Sequence, residues 1–205
     1  MLKAMHPAID PSLIVRDPQQ ALQQLRQQWR SGERWVFGYA SLIWRPEFEA
    51  AERRAALVRG WHRALRMRSR VNRGTPQQPG LVFALLPGGA CRGMAYRLRA
   101  ETAEEELDRL WAREMPTGVY DARLLPCQTA QGRLVALAFT LSRRSESCLP
   151  RLPDAEVLHI LRHARGRYGS TWQYLAETAT ALRQHGVRDR EIERLMDLAR
   201  QHGLA

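Results

Sequence analysis

Lysine is almost absent from this chain: Lys3 is the only one, and every other basic residue is arginine. The 205 residues carry 32 Lys+Arg against 21 Asp+Glu, a net charge of +11 at pH 7. So complete a preference for arginine fits a GC-rich genome as well as a polyanion-binding surface, and the charge alone assigns no partner. Cysteine is scarce too. Cys91, Cys127 and Cys148 include no CxxC pair and leave one thiol over in any disulfide scheme. That points to a reducing compartment and away from a cysteine-based metal site. Long apolar runs are missing: Leu81–Leu86 and Leu134–Phe139 are strand-sized and too short to cross a bilayer. Met1–Asp10 hold no stretch suited to a signal peptide, so a cytoplasmic protein without membrane association is expected. There is no internal repeat, no low-complexity segment and no helix-turn-helix, zinc-finger or RNA-recognition signature, so nucleic acid is not an expected partner. What is present, 44% hydrophobic and 26% charged residues, is ordinary for one globular domain with a sizeable core.

Turn and helix signals divide the chain into an ordered series. Asp10–Arg30 is expected to be helical, with Leu22, Leu25 and Trp29 on one face. Trp35–Tyr39 is expected as a buried strand that leads into the loop Ala40-Ser41-Leu42-Ile43-Trp44 before Pro46. Ala55–Arg70 is expected to hold one or two strands broken near Gly60. Within it Leu65 and Met67 alternate with Arg66, Arg68 and Arg70, an apolar and a solvated face. The wider stretch Arg53–Arg73 holds eight arginines; beside a solvated face, it is open to reading as a basic rim for an anionic substrate or as a duplex-binding surface. Asn72–Pro76 and Pro79-Gly80 carry turn chemistry, and Leu81–Leu86 and Gly93–Leu98 are expected as a hairpin turned at Gly88-Gly89. A helix over Thr102–Arg113, strands over Val119–Thr129 and Arg133–Leu141, and helices near Asp154–Arg165, Thr171–His185 and Arg188–His202 complete the series. Strands dominate the middle and helices the ends without βαβ alternation, so the fold class is α+β.

One residue breaks the helix pattern. Thr102 and Glu105 have capping-box spacing, and Leu107, Leu110 and Trp111 form the apolar stripe of the helix that follows. The next position on that stripe is Glu114, just before Pro116 and Gly118 end the helix. A carboxylate held there meets desolvation and the negative end of the helix dipole, and both raise its pKa toward that of a general base. The alternative is a helix that frays early and leaves Glu114 in water. The turn Gly38-Tyr39-Ala40-Ser41 offers small residues and exposed amides that can hold a carboxylate or an oxyanion. Ser41 lacks a Gly-x-Ser-x-Gly setting, and His62, His159 and His163 have no partner with ligand spacing. Tyr39 and Tyr174 each read as a packing residue or a substrate contact.

The run Val36-Phe37-Gly38-Tyr39-Ala40-Ser41-Leu42-Ile43-Trp44 resembles the substrate-binding loop of the ChaC family, the glutathione-specific γ-glutamylcyclotransferases. Further similarities follow in order: Gly60-Trp61-His62-Arg63, Arg73-Gly74-Thr75-Pro76 with Pro79-Gly80-Leu81, Arg113-Glu114 with Gly118-Val119-Tyr120, then Gly166, Gly169 and Tyr174-Leu175. They span roughly Trp35–Leu175. Two departures stand out. Ala40 replaces a glycine of the loop, and Thr171 and Gln173 stand where the family has asparagine and glutamate.

The resemblance implies a small mixed β-barrel or sheet of the γ-glutamylcyclotransferase-like type over 35–175; the helical N-terminal extension (1–34) and helical C-terminal segment (176–205) expected from the residues lie outside it. It also implies cyclisation of glutathione to 5-oxoproline and Cys-Gly by a monomer, with no metal and no cofactor. Glu114 is then the catalytic base, and Val36, Phe37, Gly38, Tyr39, Ala40, Ser41, Leu42 and Tyr174 bind substrate. The alternatives are the same chemistry on other γ-glutamyl amines or dipeptides, and a non-enzymatic regulatory or nucleic-acid-binding protein on this fold.

Overall fold

Two long strands frame the molecule, because their pairing carries on past residues that read as turns. The computed structural model describes residues 17–29 and 32–204. Strand β2 (Ala50–Ser69) and strand β3 (Gly80–Leu98) pair antiparallel along nearly their whole length. Gly60 has φ +81, and Gly88 and Gly89, across from it, have φ +104 and +74. The register shifts between Arg59 and Trp61. The expected break at Gly60 and the expected hairpin at Gly88-Gly89 are therefore one shared bulge, at which both strands bend together. The left-handed glycines curve the ribbon and do not reverse it.

Strand β1 (Trp35–Gly38) pairs antiparallel with β3 and parallel with β5 (Gly132–Thr140). Strand β4 (Asp121–Thr129) pairs antiparallel with β2 and with β5. The order β1-β3-β2-β4-β5 closes a barrel. Phe37, Leu65, Phe83, Leu85 and Met94 of the barrel share one core cluster with Leu161 of α4 (Asp154–His163), Leu175 and Leu182 of α5 (Thr171–Gln184) and Leu195 of α6 (Arg190–Gln201). A second cluster seats α1 (Pro18–Gln28) and α3 (Ala103–Glu114) on the barrel through Leu22, Leu25, Trp29, Leu107, Leu110 and Trp111. The expected start of the first helix, 10–16, lies outside the described residues. The architecture is α+β, a mixed barrel flanked by helices.

Local details depart from expectation. Thr102 precedes α3 without a side-chain cap, and Glu104, Glu105 and Glu106 in the first turn complement the dipole instead. The capping box that does form is Ser170 with Gln173 at the start of α5. The boundary after Leu175 falls inside α5, whose second half shares the barrel's core cluster. The arginine-rich ridge is not simply a solvated face. Arg63 is buried and pairs at 2.6 Å with Asp189, the N-cap of α6, which ties the last helix to the barrel.

The barrel closes where β1 meets β3 through two glycines. A Cβ on Gly93 would lie 2.3 Å from the Gly38 carbonyl oxygen and 2.9 Å from the Phe37 ring, and neither can retreat. Gly93→Ala is expected to cost about 3 kcal/mol through overpacking, read as a lower urea midpoint at unchanged slope. A midpoint equal to wild type would show that the β1–β3 seam is loose.

Candidate functional site

A cavity of about 690 Å³ gathers residues from sequence-distant segments. The turn after β1 continues into a four-residue helix, α2 (Ser41–Trp44), where a loop was expected. Ser41, Trp44, Arg45 and Glu47 face the cavity from there; Glu114, Tyr120 and Tyr174 line it as well. Glu114 is the last residue of α3, and its side chain is 15% exposed, so the helix does not fray before it.

Arg113 organises this part of the cavity. Its Nε lies 3.0 Å from Glu114 Oε1, Nη2 donates to Ser41 Oγ at 3.2 Å, and Nη1 reaches Glu47 at 3.3 Å and the Arg45 carbonyl. Glu47 is the one described non-glycine residue with positive φ (59°), a conformation that costs energy and that places its carboxylate between Arg45 and Arg113. Burial raises the pKa of Glu114 above the ordinary carboxylate value; Arg113 opposes the rise and Glu47 adds to it.

The nine site residues expected from the sequence divide sharply. Glu114, Ser41 and Tyr174 line the cavity. Tyr174 also packs edge-on to Trp44, and its hydroxyl accepts from the Phe83 amide at 3.1 Å. Val36, Phe37 and Leu42 direct buried side chains into the two core clusters instead. Gly38 is buried beside them and would clash at 3.1 Å with Leu42 and Tyr96 if it carried a Cβ. Ala40 is buried with φ −145°, so a positive φ is not what would ask for glycine at this position. The Tyr39 hydroxyl donates to the Phe139 carbonyl at 3.0 Å and shares a hydrogen bond with Tyr120, so Tyr39 stands behind the cavity wall and Tyr120 in it. Burial pushes both phenols well above their ordinary pKa, with Glu114 contributing. The alternation of side chains along β1 explains the division: only where the strand gives way to α2 does the chain turn toward the cavity.

Several lining residues were not singled out from the sequence: Trp44, Arg45, Glu47, Tyr120 and Tyr168. Arg113 was visible only as the neighbour of Glu114. Of the arginine ridge, Arg68, Arg70 and Arg73 face the cavity; with Arg45, Arg113, Arg144 and Arg167 they outnumber its four carboxylates. That imbalance favours an anionic ligand. Thr171 and Gln173 have structural duties. Thr171 Oγ1 accepts from the Leu81 amide and donates to the Arg73 carbonyl, and Gln173 completes the α5 cap. His62 contacts Gly88, and His159 stacks on His163, away from the cavity. Among the described residues no three His, Cys, Asp or Glu side chains form a group that could hold a metal ion, and no described helix is long and apolar enough to cross a membrane.

A carboxyl whose pKa is raised on folding binds its proton more tightly in the native state than in the unfolded chain. Its contribution to stability therefore falls as pH rises through the window above the ordinary glutamate value. Glu114→Gln removes that loss, while Arg113 keeps Glu47, Ser41 and the Arg45 carbonyl. Urea unfolding should find the variant more stable than wild type at neutral pH and equal to it in acid below the ordinary value. A variant that is less stable at neutral pH would mean that the Arg113 pair outweighs burial.

Comparison with known proteins converges on one family. The family model described as ChaC-like protein matches residues 34–202, reaching past Leu175 through the C-terminal helices. The glutathione-specific γ-glutamylcyclotransferase of Escherichia coli (strain K12) is 37% identical over 173 residues, 80% of this chain and 72% of that protein. Glutathione-specific γ-glutamylcyclotransferase 1 of Rattus norvegicus is 31% identical over 179 residues, covering 82% of this chain and 81% of its own. A crystal structure of the glutathione-specific γ-glutamyl cyclotransferase from yeast shares the fold, with a TM-score of 0.76 at 20% identity over 83% of this chain and 97% of that one. A barrel shut by β1, a cavity beginning at Ser41 and a carboxylate at the end of α3 are thus set in a chain that belongs to the ChaC-like protein family.

Proposed function

We propose that this protein is a γ-glutamylcyclotransferase that cleaves glutathione to 5-oxoproline and Cys-Gly. The observation that carries the reading is Glu114: a carboxyl of raised pKa on the wall of an arginine-rich cavity, beside the Ser41 turn. The family membership and the names of the relatives support the same chemistry.

In this reading the α-ammonium of the γ-glutamyl group gives a proton to Glu114. The freed amine nitrogen attacks the γ-carbonyl carbon, and a five-membered ring closes. The amide bond to the cysteine nitrogen breaks, and that nitrogen takes the proton back from Glu114 as it leaves. The ring nitrogen still carries two hydrogens after attack and gives up a second proton as the lactam forms, and the departing amine ends as an ammonium. Two protons thus pass from the attacking to the leaving nitrogen, each carried in turn by Glu114, with no cofactor and no metal needed. A pKa above the ordinary value suits a group that must accept and return a proton near neutrality. Arg113 keeps the carboxylate in place, and Tyr120 and Tyr174, both protonated, offer polar edges to the substrate. The Ile43 amide donates to the Ala40 carbonyl, so the Ser41 and Leu42 amides ahead of it are the donors assigned to the tetrahedral oxyanion. The residues of Val36–Leu42 other than Ser41 then act through their backbone and by packing. Holding the substrate as a near-attack ring conformer supplies a large part of the acceleration. The protein is proposed to act as a monomer in the cytoplasm on this small molecule.

Purified protein incubated with glutathione is expected to release 5-oxoproline and Cys-Gly in equal amounts. Glu114→Gln should lower kcat by roughly 100- to 10,000-fold with KM largely retained, since the amide keeps the size but cannot take the proton. The acid limb of the wild-type kcat/KM profile should report a carboxyl above the ordinary glutamate value. Near-normal turnover by a folded Glu114→Gln protein would rule Glu114 out as the base.

A further inference from the structure

Arg73 has no task in the cyclisation itself, yet the fold fixes it with care. Its amide donates to Ser69 Oγ at 3.0 Å, and its carbonyl accepts from Thr171. The surrounding turn is packed glycine against backbone. A Cβ on Gly74 would lie 2.1 Å from the Gly80 amide, one on Gly80 2.1 Å from the Arg73 carbonyl, and one on Gly166 2.6 Å from the Arg73 amide. The guanidinium that results is only 6% exposed but forms part of the cavity wall. It stands 5.1 Å from the Tyr174 ring centre and 5.7 Å from that of Trp44. Nη1 donates to the Tyr168 carbonyl. Nη2 is 3.8 Å from the half-exposed Glu177 carboxylate, too far for a hydrogen bond, so Nε and Nη2 have no acceptor among the described residues. Arg45 brings a second guanidinium to the same aromatic group, 4.9 Å from the Tyr168 ring centre. Burial lowers the pKa of Arg73, the Glu177 carboxylate opposes the fall and Arg45 adds to it, so an anion at the free edge of the guanidinium would be welcome beside Glu177.

Resting on the reading of this cavity as a γ-glutamyl peptide site, we propose that Arg73, assisted by Arg45, binds the C-terminal carboxylate of the leaving dipeptide. The enzyme thereby selects peptides with a free C-terminus over γ-glutamyl amines. The other substrate carboxylate shares its carbon with the attacking amine, which holds it near Glu114 and Arg113. Arg73 belongs to a different wall, the turn between β2 and β3 braced by 166–171. The carboxylate beyond the scissile bond is the one with the length of chain to reach it. A planar guanidinium with a free edge suits a carboxylate, and the flanking rings exclude water from the pair.

The test is calorimetric binding to the Glu114→Gln protein, in which turnover does not intrude. Three ligands are compared: glutathione, glutathione with its glycine carboxylate amidated, and glutathione with its glutamyl α-carboxylate amidated. Glutathione should bind about tenfold to a hundredfold tighter than its glycine amide. Adding Arg73→Met should erase that preference while leaving the glycine amide's affinity unchanged. Arg45→Gln, at a more exposed side chain, should reduce the preference in part and gives the same reading if Arg73→Met does not fold. Equal binding of glutathione and its glycine amide would overturn the proposal. So would a loss on Arg73→Met that is the same for both, or one abolished by the α-amide, which would assign Arg73 to the other carboxylate. The comparison is independent of product formation. A preserved preference without 5-oxoproline from wild type would uphold the subsite and refute the cyclisation.

Discussion

A four-residue strand holds the barrel shut, and the cavity depends on it. β1 is hydrogen-bonded on both sides, antiparallel to β3 and parallel to β5, and all four of its residues are buried. The seam closes because Gly38 and Gly93 let two backbones approach without side chains between them. Once β1 is fixed in that register, the next residues have one way to go. They leave the strand as the short helix α2 and bring Ser41, Trp44 and Arg45 to the cavity. The strand that completes the barrel thus also leads the chain into the site. The side chains of Val36, Phe37 and Leu42 serve it by filling the core, and Tyr39 by anchoring to Phe139.

Charge is handled by the same logic of close constraint. Arginine is abundant, but its members have separate duties. Arg63 is buried against Asp189 and the Tyr39 carbonyl, so it fastens α6 to the barrel near the turn. Breaking such a pair leaves an uncompensated buried charge, which is why it acts as a tether and not as a source of net stability. Arg113 binds Glu114, Glu47, Ser41 and the Arg45 carbonyl together, and so limits how far burial raises the Glu114 pKa. Glu47 works against it from a strained backbone position. The Glu114 carboxyl sits in a balance: burial pushes its pKa up, one guanidinium pulls it down, and a second carboxylate weakens that pull. Arg73 differs from both, because its protein partners leave part of its guanidinium unsatisfied.

Much of this was legible in the residues. The amphipathic stripe of Leu107, Leu110 and Trp111 located α3 and put Glu114 at its end, since a period of 3.6 residues fixes which side chains share a face. The helix breaks at Gly169 and Gly186 and the strands β4 and β5 followed from local turn chemistry. The motif order from Val36 to Leu175 carried the family, and so the barrel. Where local signals failed, they failed for a tertiary reason. Gly88-Gly89 has the composition of a reversal but bends a continuous strand, because β2 bulges opposite at Gly60 and keeps pairing beyond it. Arg66, Arg68 and Arg70 read either as a solvated face or as part of a basic rim, and the choice stayed open because strand alternation specifies two faces but not what covers them.

The sequence by itself determined the element order, the carboxylate at the end of α3, and the family to which the chain belongs. Only the tertiary structure decided which residues share the cavity. Ser41, Arg73, Glu114 and Tyr174 lie far apart along the chain and meet only when the barrel closes and α5 packs against β3. Local propensity acts over a few residues, whereas that meeting is set by strand register and by glycine-to-backbone contacts across the whole fold.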